Sequence, residues 1–358
     1  MNKKFIVWQI KRWIVPLAVF LGVIVVIFST TAISSDVYQG SYLFNLSVLS
    51  PAVFAALIIS SVFPLMAFSY KFGMQRCDFY NQLPFKPKEF KRTIMILGLI
   101  CVLAIIIVGY ATGVSLFALF YTLSPETKQV VYYDMTETLH KMPLDWSAVF
   151  YCLIYILVMS TASYFISSCI AYNNIGVFES IICLLLFHAA ASSLVLPIQV
   201  RLQRYEIIEE YEALAFGIFP MFGYGTLFDQ ILIGEDIKFL ELGYGFFTNV
   251  SVYLAISGGA FAWTWLSKDR SAEVDNTKGE PKLFPIIVLH AAFLFSLALL
   301  SSAMSSLGLT VFGLVLWSFS MVAYFFLNVL YKHGFGLDMK QWVPMIPVFI
   351  VTFILFLF

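Results

Sequence analysis

The chain has 358 residues, of which 61% are apolar and only 12% charged; an ordinary soluble domain carries ~25% charged residues, and the mean hydropathy here is +0.89. A globule of this size leaves much of its surface exposed and cannot hide that much hydrocarbon. A soluble enzyme, a nucleic-acid binder and a disordered chain are thereby excluded, and an all-α polytopic membrane protein remains. Lys+Arg and Asp+Glu both total 21, so the distribution of charge carries the information and its sum does not.

The N-terminal stretch MNKKFIVWQIKRWIVP sets Phe5, Ile6, Trp8, Ile10 and Trp13 among Lys3, Lys4, Lys11 and Arg12. Ile6 and Ile10 are four apart, as on one helix face. This spacing suits an amphipathic elbow helix over 1–13 lying in the membrane interface; a plain cationic anchor is the alternative. The following apolar run is about span length and longer than the ~7–15 residues of a signal-peptide core, so it reads as a retained first span, 14–34. A second span is expected at 49–69 and a third within 93–125, long enough to tilt. Residues 146–200 hold a single charge, Glu179, and are too long for one crossing at ~1.5 Å per residue. Asn173, Asn174 and Gly176 supply a turn, giving a fourth and a fifth span. Residues 246–266 form a sixth. The run 283–331 divides at its serines and Gly308 into a seventh and an eighth, and Val343–Phe358 is a short final segment. The total is eight or nine.

With the N-terminus in the cytoplasm, the inner pieces are 1–12, 70–92, 172–176, 267–282 and 331–342. They carry most of the basic residues; Lys128, Lys141, Arg201, Arg204 and Lys238 are left outside. Excess Lys and Arg on the cytoplasmic side is the rule for such proteins. Within an outer region 199–245, the Gly- and Pro-containing run Ala213–Phe228 is either re-entrant or a pair of interfacial helices.

No GxxxxGK[ST], HExxH or GxSxG occurs, so no catalytic or nucleotide motif is present. Four of the five cysteines lie in apolar runs and none is paired by spacing, so neither a disulfide framework nor a metal site is read. Glu179 is the one acid well inside a charge-poor run, and His188 and His290 also sit inside spans. They are either a proton path or packing residues, with Glu179 near enough to the turn to cap a helix start.

The loop KFGMQRCDFYNQLPFKPKEFKR, 71–92, is the most informative segment. Asp78 is a good N-cap for a short helix through Leu83, which Pro84 ends, and Phe79 and Leu83 form one apolar edge. Pro87 suits the first turn of a new helix leading into the third span. A short helix bracketed by prolines can insert an aromatic knob into a cytoplasmic partner; a solvated basic connector is the alternative.

Arg76, Asp78, Phe79, Tyr80, Leu83 and Pro84 resemble the loop after the second span in permeases of the type 2 class of ABC exporters. Gln82 and Phe85 depart from the serine and isoleucine usual there. WLSKDRSAEVDN, 265–276, is similar to that class's second cytoplasmic loop through Arg270, Ser271 and Glu273, without its glycine. The resemblance implies a six-span core, 1–282, and a coupling helix docked on two separate ATPase copies that bind ATP and Mg. It implies a second permease subunit, identical or paralogous. Residues 283–358 lie outside that core and resemble the longer, Firmicute-type members.

The expected function is the permease subunit of an exporter in the plasma membrane, not itself an enzyme, moving a hydrophobic or amphipathic cargo such as a peptide. A proton-coupled secondary transporter using Glu179, His188 and His290, and a non-transporting scaffold or sensor subunit, are the alternatives.

Overall fold

The computed structural model describes residues 3–34, 46–72, 87–132, 135–141, 146–174, 176–188 and 244–266. Of the C-terminal part it describes 286–287, 290, 315, 318–319, 321–326, 329, 343 and 345–346. The described elements are α1 (Lys3–Ser34), α2 (Leu46–Ala67), a 3-10 turn (Ser69–Phe72), α3 (Pro87–Leu123), β1 (Thr127–Tyr132), β2 (Met135–His140), α4 (Trp146–Asn173), α5 (Val177–His188) and α6 (Tyr244–Leu266). Helix dominates, and α1, α3 and α4 are each long and apolar enough to cross a membrane. The expected seventh to ninth spans fall largely outside the described residues.

Three features bear on the sequence expectation: the start of α3 agrees with it, and the other two differ. First, α1 runs unbroken from Lys3 through Pro16 to Ser34, with no break between its cationic start and the apolar run. Its packed face is Phe5, Gln9 and Trp13, whereas Trp8 and Ile10 are exposed. The packed face continues one turn at a time to Ile24 and Phe28, so the cationic start is an extension of the same helix stripe. Second, α3 opens at Pro87, where a missing N–H costs no intrahelical bond, and continues for 37 residues, ~55 Å at 1.5 Å per residue. That exceeds the ~30 Å hydrocarbon core. Third, the all-α expectation missed a hairpin: β1 and β2 pair antiparallel from Thr127↔His140 to Tyr132↔Met135.

The chain forms two compact units. One comprises Met1–Ala67, Pro84–Ser168 and Pro220–Lys268; the other comprises Phe68–Leu83, Cys169–Phe219 and Asp269–Phe358. In the first unit α1 and α3 run parallel and in step. Phe5 meets Phe90 at 5.2 Å between ring centroids, Ile24 abuts Gly109, and Phe28 abuts Gly113. The same sequence offset separates all three pairs. Gly109 and Gly113 are one turn apart, a GxxxG spacing that lets helices approach closely. A carbon added at Gly113 would lie 3.0 Å from the Phe28 carbonyl oxygen and 3.1 Å from its Cβ. Phe63 of α2, fully buried, wedges against Trp13 at 5.2 Å.

In the second unit the 3-10 turn is held to the end of α4 by Phe68 against Tyr172, 5.8 Å between centroids. Asn173 donates from Nδ2 to the Cys169 carbonyl at 2.7 Å. The chain then leaves the helix and restarts as α5, whose first turn closes with Ser180 donating to the Gly176 carbonyl.

Candidate functional site

Hydrophobic burial does not select partners inside a membrane, because lipid is as apolar as leucine; polar contacts and close packing do. The first unit has a polar seam of this kind. On α4, Ser160, Ser163, Tyr164, Ser167 and Ser168 recur at three- and four-residue spacing and all are buried, which places them on one helix face. Ser163 and Ser61 of α2 share a hydrogen bond at 2.6 Å, and Ser167 donates to the Ser61 carbonyl. Tyr253 of α6, buried, lies beside Ser163.

Two tyrosines latch α3 to α4. The Tyr164 hydroxyl donates to the Met95 carbonyl at 2.9 Å, and the Tyr110 hydroxyl donates to the Val149 carbonyl at 2.7 Å. Each helix therefore gives one phenol to the other's backbone, as antiparallel neighbours can. Gly98 makes room for the first latch: a carbon added there would strike the Tyr164 hydroxyl and lie 3.1 Å from Phe63.

At the end of this unit where α3 begins, Arg92 lies with its guanidinium 4.4 Å from the centre of the Trp265 ring. Its Nη2 points to the Trp265 carbonyl at 3.4 Å. Lys91 beside it is almost wholly buried. The start of α3, the last turn of α6 and, through Phe5 and Phe90, the first turns of α1 thus share one end. At the other end of α3, Lys141 sits 4.0 Å above the Tyr121 ring and donates to the Ser124 carbonyl at 3.1 Å, closing the base of the hairpin.

Of the residues singled out in the sequence, Arg76, Asp78, Phe79, Tyr80, Leu83 and Pro84 lie outside the described residues, as do Arg270, Ser271 and Glu273. So does the outer region 199–243. Glu179, His188 and His290 are described. Glu179 is the third residue of α5, and its carboxyl carbon lies 3.8 Å from where a Cβ on Gly176 would stand. That is the position from which a glutamate reaches back over a helix start. His188 is ~13 Å further along the same helix and about half a turn round, on the opposite face. His290 uses Nδ1 to contact the Ile286 carbonyl at 2.7 Å, one turn back in its own segment. Among the described residues no group of three or more His, Cys, Asp or Glu could hold a metal, and Cys101, Cys169 and Cys183 form no disulfide.

Compared with protein-family models, curated proteins and solved structures, the chain finds no match. The latches, the serine seam and the Arg92–Trp265 pair were not foreseen. The signal for the seam was present, since STASYFISS spaces its hydroxyls for one helix face; so was that for the α1–α3 contact, since GYATG carries the GxxxG.

Proposed function

We propose that the chain is the membrane-spanning permease subunit of an ATP-driven exporter of the type 2 ABC class. The observation that carries this reading is the Arg92–Trp265 junction. The basic loop 71–92 runs into α3, and the charged loop 267–282 leaves α6 directly after Leu266. The two segments that resemble that class therefore issue from adjoining helix ends. The cationic start of α1 joins them there, an arrangement that fits one cytoplasmic face. In this reading the protein lies in the plasma membrane with its N-terminus inside and eight or nine spans. Residues 1–282 form the core, 213–228 stays on the outer side, and 283–358 adds further spans.

Two ATPase copies, which bind the ATP and Mg, grip the Asp78–Leu83 segment. Its motion enters α3 at Pro87. Because Tyr164 and Tyr110 tie α3 to α4 at two levels, the pair moves as one lever and carries displacement toward the hairpin. Export of a hydrophobic or amphipathic cargo, peptides included, is completed with a second permease subunit, identical or paralogous. Glu179 at a helix start, with His188 on the opposite face, gives the proton-coupled alternative no contiguous path along α5.

The test is co-purification with the ATPase and stimulation of its turnover. Leu83→Asp is expected to abolish both and Phe79→Ala to weaken them; unchanged association in both variants would overturn the coupling role. Flux driven by a pH gradient without ATP would favour the secondary transporter instead.

A further inference from the structure

Between α4 and α6 lies an open groove of about 350 Å³, at the lower end of the ~300–1,000 Å³ typical of small-molecule sites. Leu157, Ala162 and Phe165 form one wall; Leu254, Gly258 and Phe261 form the other. Its two hydroxyl residues are spent on their own helices: Thr161 donates to the Leu157 carbonyl at 2.7 Å, and Ser257 to the Leu254 carbonyl at 2.8 Å. The groove therefore presents hydrocarbon to whatever fills it. Gly258 leaves it open, since a carbon added there meets nothing within 4 Å.

The groove leads to a cation. Phe165 packs on Phe261 at 4.8 Å, Phe261 stacks on Trp265 at 5.4 Å, and Arg92 covers Trp265. Arg92 has no carboxylate partner among the described residues, and its buried Nε has no acceptor. A partly buried guanidinium without a counter-ion is unfavourable, and its planar fork suits a phosphate. From Trp265 to Leu254 is ~16 Å of helix, about half of the ~30 Å hydrocarbon core, the depth that one leaflet's chains occupy.

We propose that Arg92 and this groove together hold one anionic phospholipid, its phosphate against the guanidinium and one acyl chain between α4 and α6. The site needs only that the unit lies in a bilayer; its assignment to the inner leaflet rests on the orientation proposed above.

The experiment uses the purified chain in detergent, without ATPase, so that its outcome is independent of the coupling role. Phosphatidylglycerol and phosphatidylcholine with identical acyl chains are titrated, and retained lipid is counted by native mass spectrometry alongside the melting temperature. Wild type is expected to retain one phosphatidylglycerol in preference. Arg92→Gln should lose that preference by roughly fivefold, the contribution of one basic residue at a charged membrane surface. Gly258→Leu, whose Cβ meets nothing within 4 Å and whose side chain occupies the groove, should retain less of both lipids while the fold persists. Equal retention of the two lipids by wild type, or undiminished retention in Gly258→Leu, would overturn the proposal.

Discussion

The Tyr164 hydroxyl reaches the Met95 carbonyl at 2.9 Å by passing over Gly98, where any side-chain carbon would strike it. The hydrogen bond and the glycine are therefore one device. Interhelical hydrogen bonds in membranes average ~0.6 kcal/mol, so Tyr164→Phe is expected to cost about that much. Gly98→Ala forces the ring out of a packed site and should cost about 1–3 kcal/mol. The double variant should cost less than the sum, because removing the hydroxyl removes the clash. Equilibrium unfolding in mixed micelles measures all three; strict additivity would contradict the linkage.

The α1–α3 interface makes a sharper contrast among glycines. Gly109 and Gly113 face Ile24 and Phe28, and at Gly113 the nearest atom is backbone, which cannot swing away. Gly22, on α1, has nothing within 4 Å. Gly113→Ala is expected to destabilise by about 1–3 kcal/mol. Gly22→Ala should be neutral or stabilising by up to ~1 kcal/mol, since alanine loses less backbone freedom on folding. Melting temperatures in a single detergent distinguish the two, and equal effects would show that the helices do not meet at Gly113.

Hydropathy and punctuation made the helices legible. Pro87 marks a helix start, and Asn173 to Gly176 marks a break, because these residues act on their own backbone. The hairpin was not legible in the same way: the alternation in TKQVVY and MTETLH is faint beside spans, and the decisive fact is the antiparallel pairing of the two strands. Nor was the continuity of α1, since charge ends at Arg12 while the backbone helix does not. The Arg92–Trp265 contact joins residues 173 apart, a separation no local period can report. The groove beside it was hidden for the same reason: its walls are ordinary apolar residues until α4 and α6 are placed together.

Glu179 offers a prediction that separates a cap from a proton carrier. Its carboxyl group folds toward Gly176 at the start of α5. Gln preserves the reach of the side chain and suits the same position, so Glu179→Gln is expected to leave the proposed ATP-driven transport intact. Glu179→Ala should lower stability by roughly 0.3–1 kcal/mol, the usual contribution of an acid at a helix N-terminus. Transport in proteoliposomes and thermal unfolding are the paired measurements; lost transport in Glu179→Gln at unchanged stability would rule out the capping role.

Lys141 governs the C-terminal end of α3. Its ammonium donates to the Ser124 carbonyl and lies over the Tyr121 ring, while its backbone N–H donates to the Glu126 carbonyl at 2.8 Å. A cation at a helix C-terminus and over an aromatic face contributes about 0.3–1 kcal/mol from each source. An isolated two-stranded hairpin is only marginally stable in water, so a loss of that size matters more to β1 and β2 than to α3. Lys141→Met keeps the aliphatic stem and the backbone bond but removes the charge. Faster amide exchange is therefore expected across 127–140, with exchange in the middle of α3 unchanged. Tyr121→Leu should reproduce part of the effect, and adding it to Lys141→Met should have little further consequence, because the ring contributes here through the cation. Exchange across the hairpin unchanged from wild type in all three variants would mean that something other than Lys141 holds it.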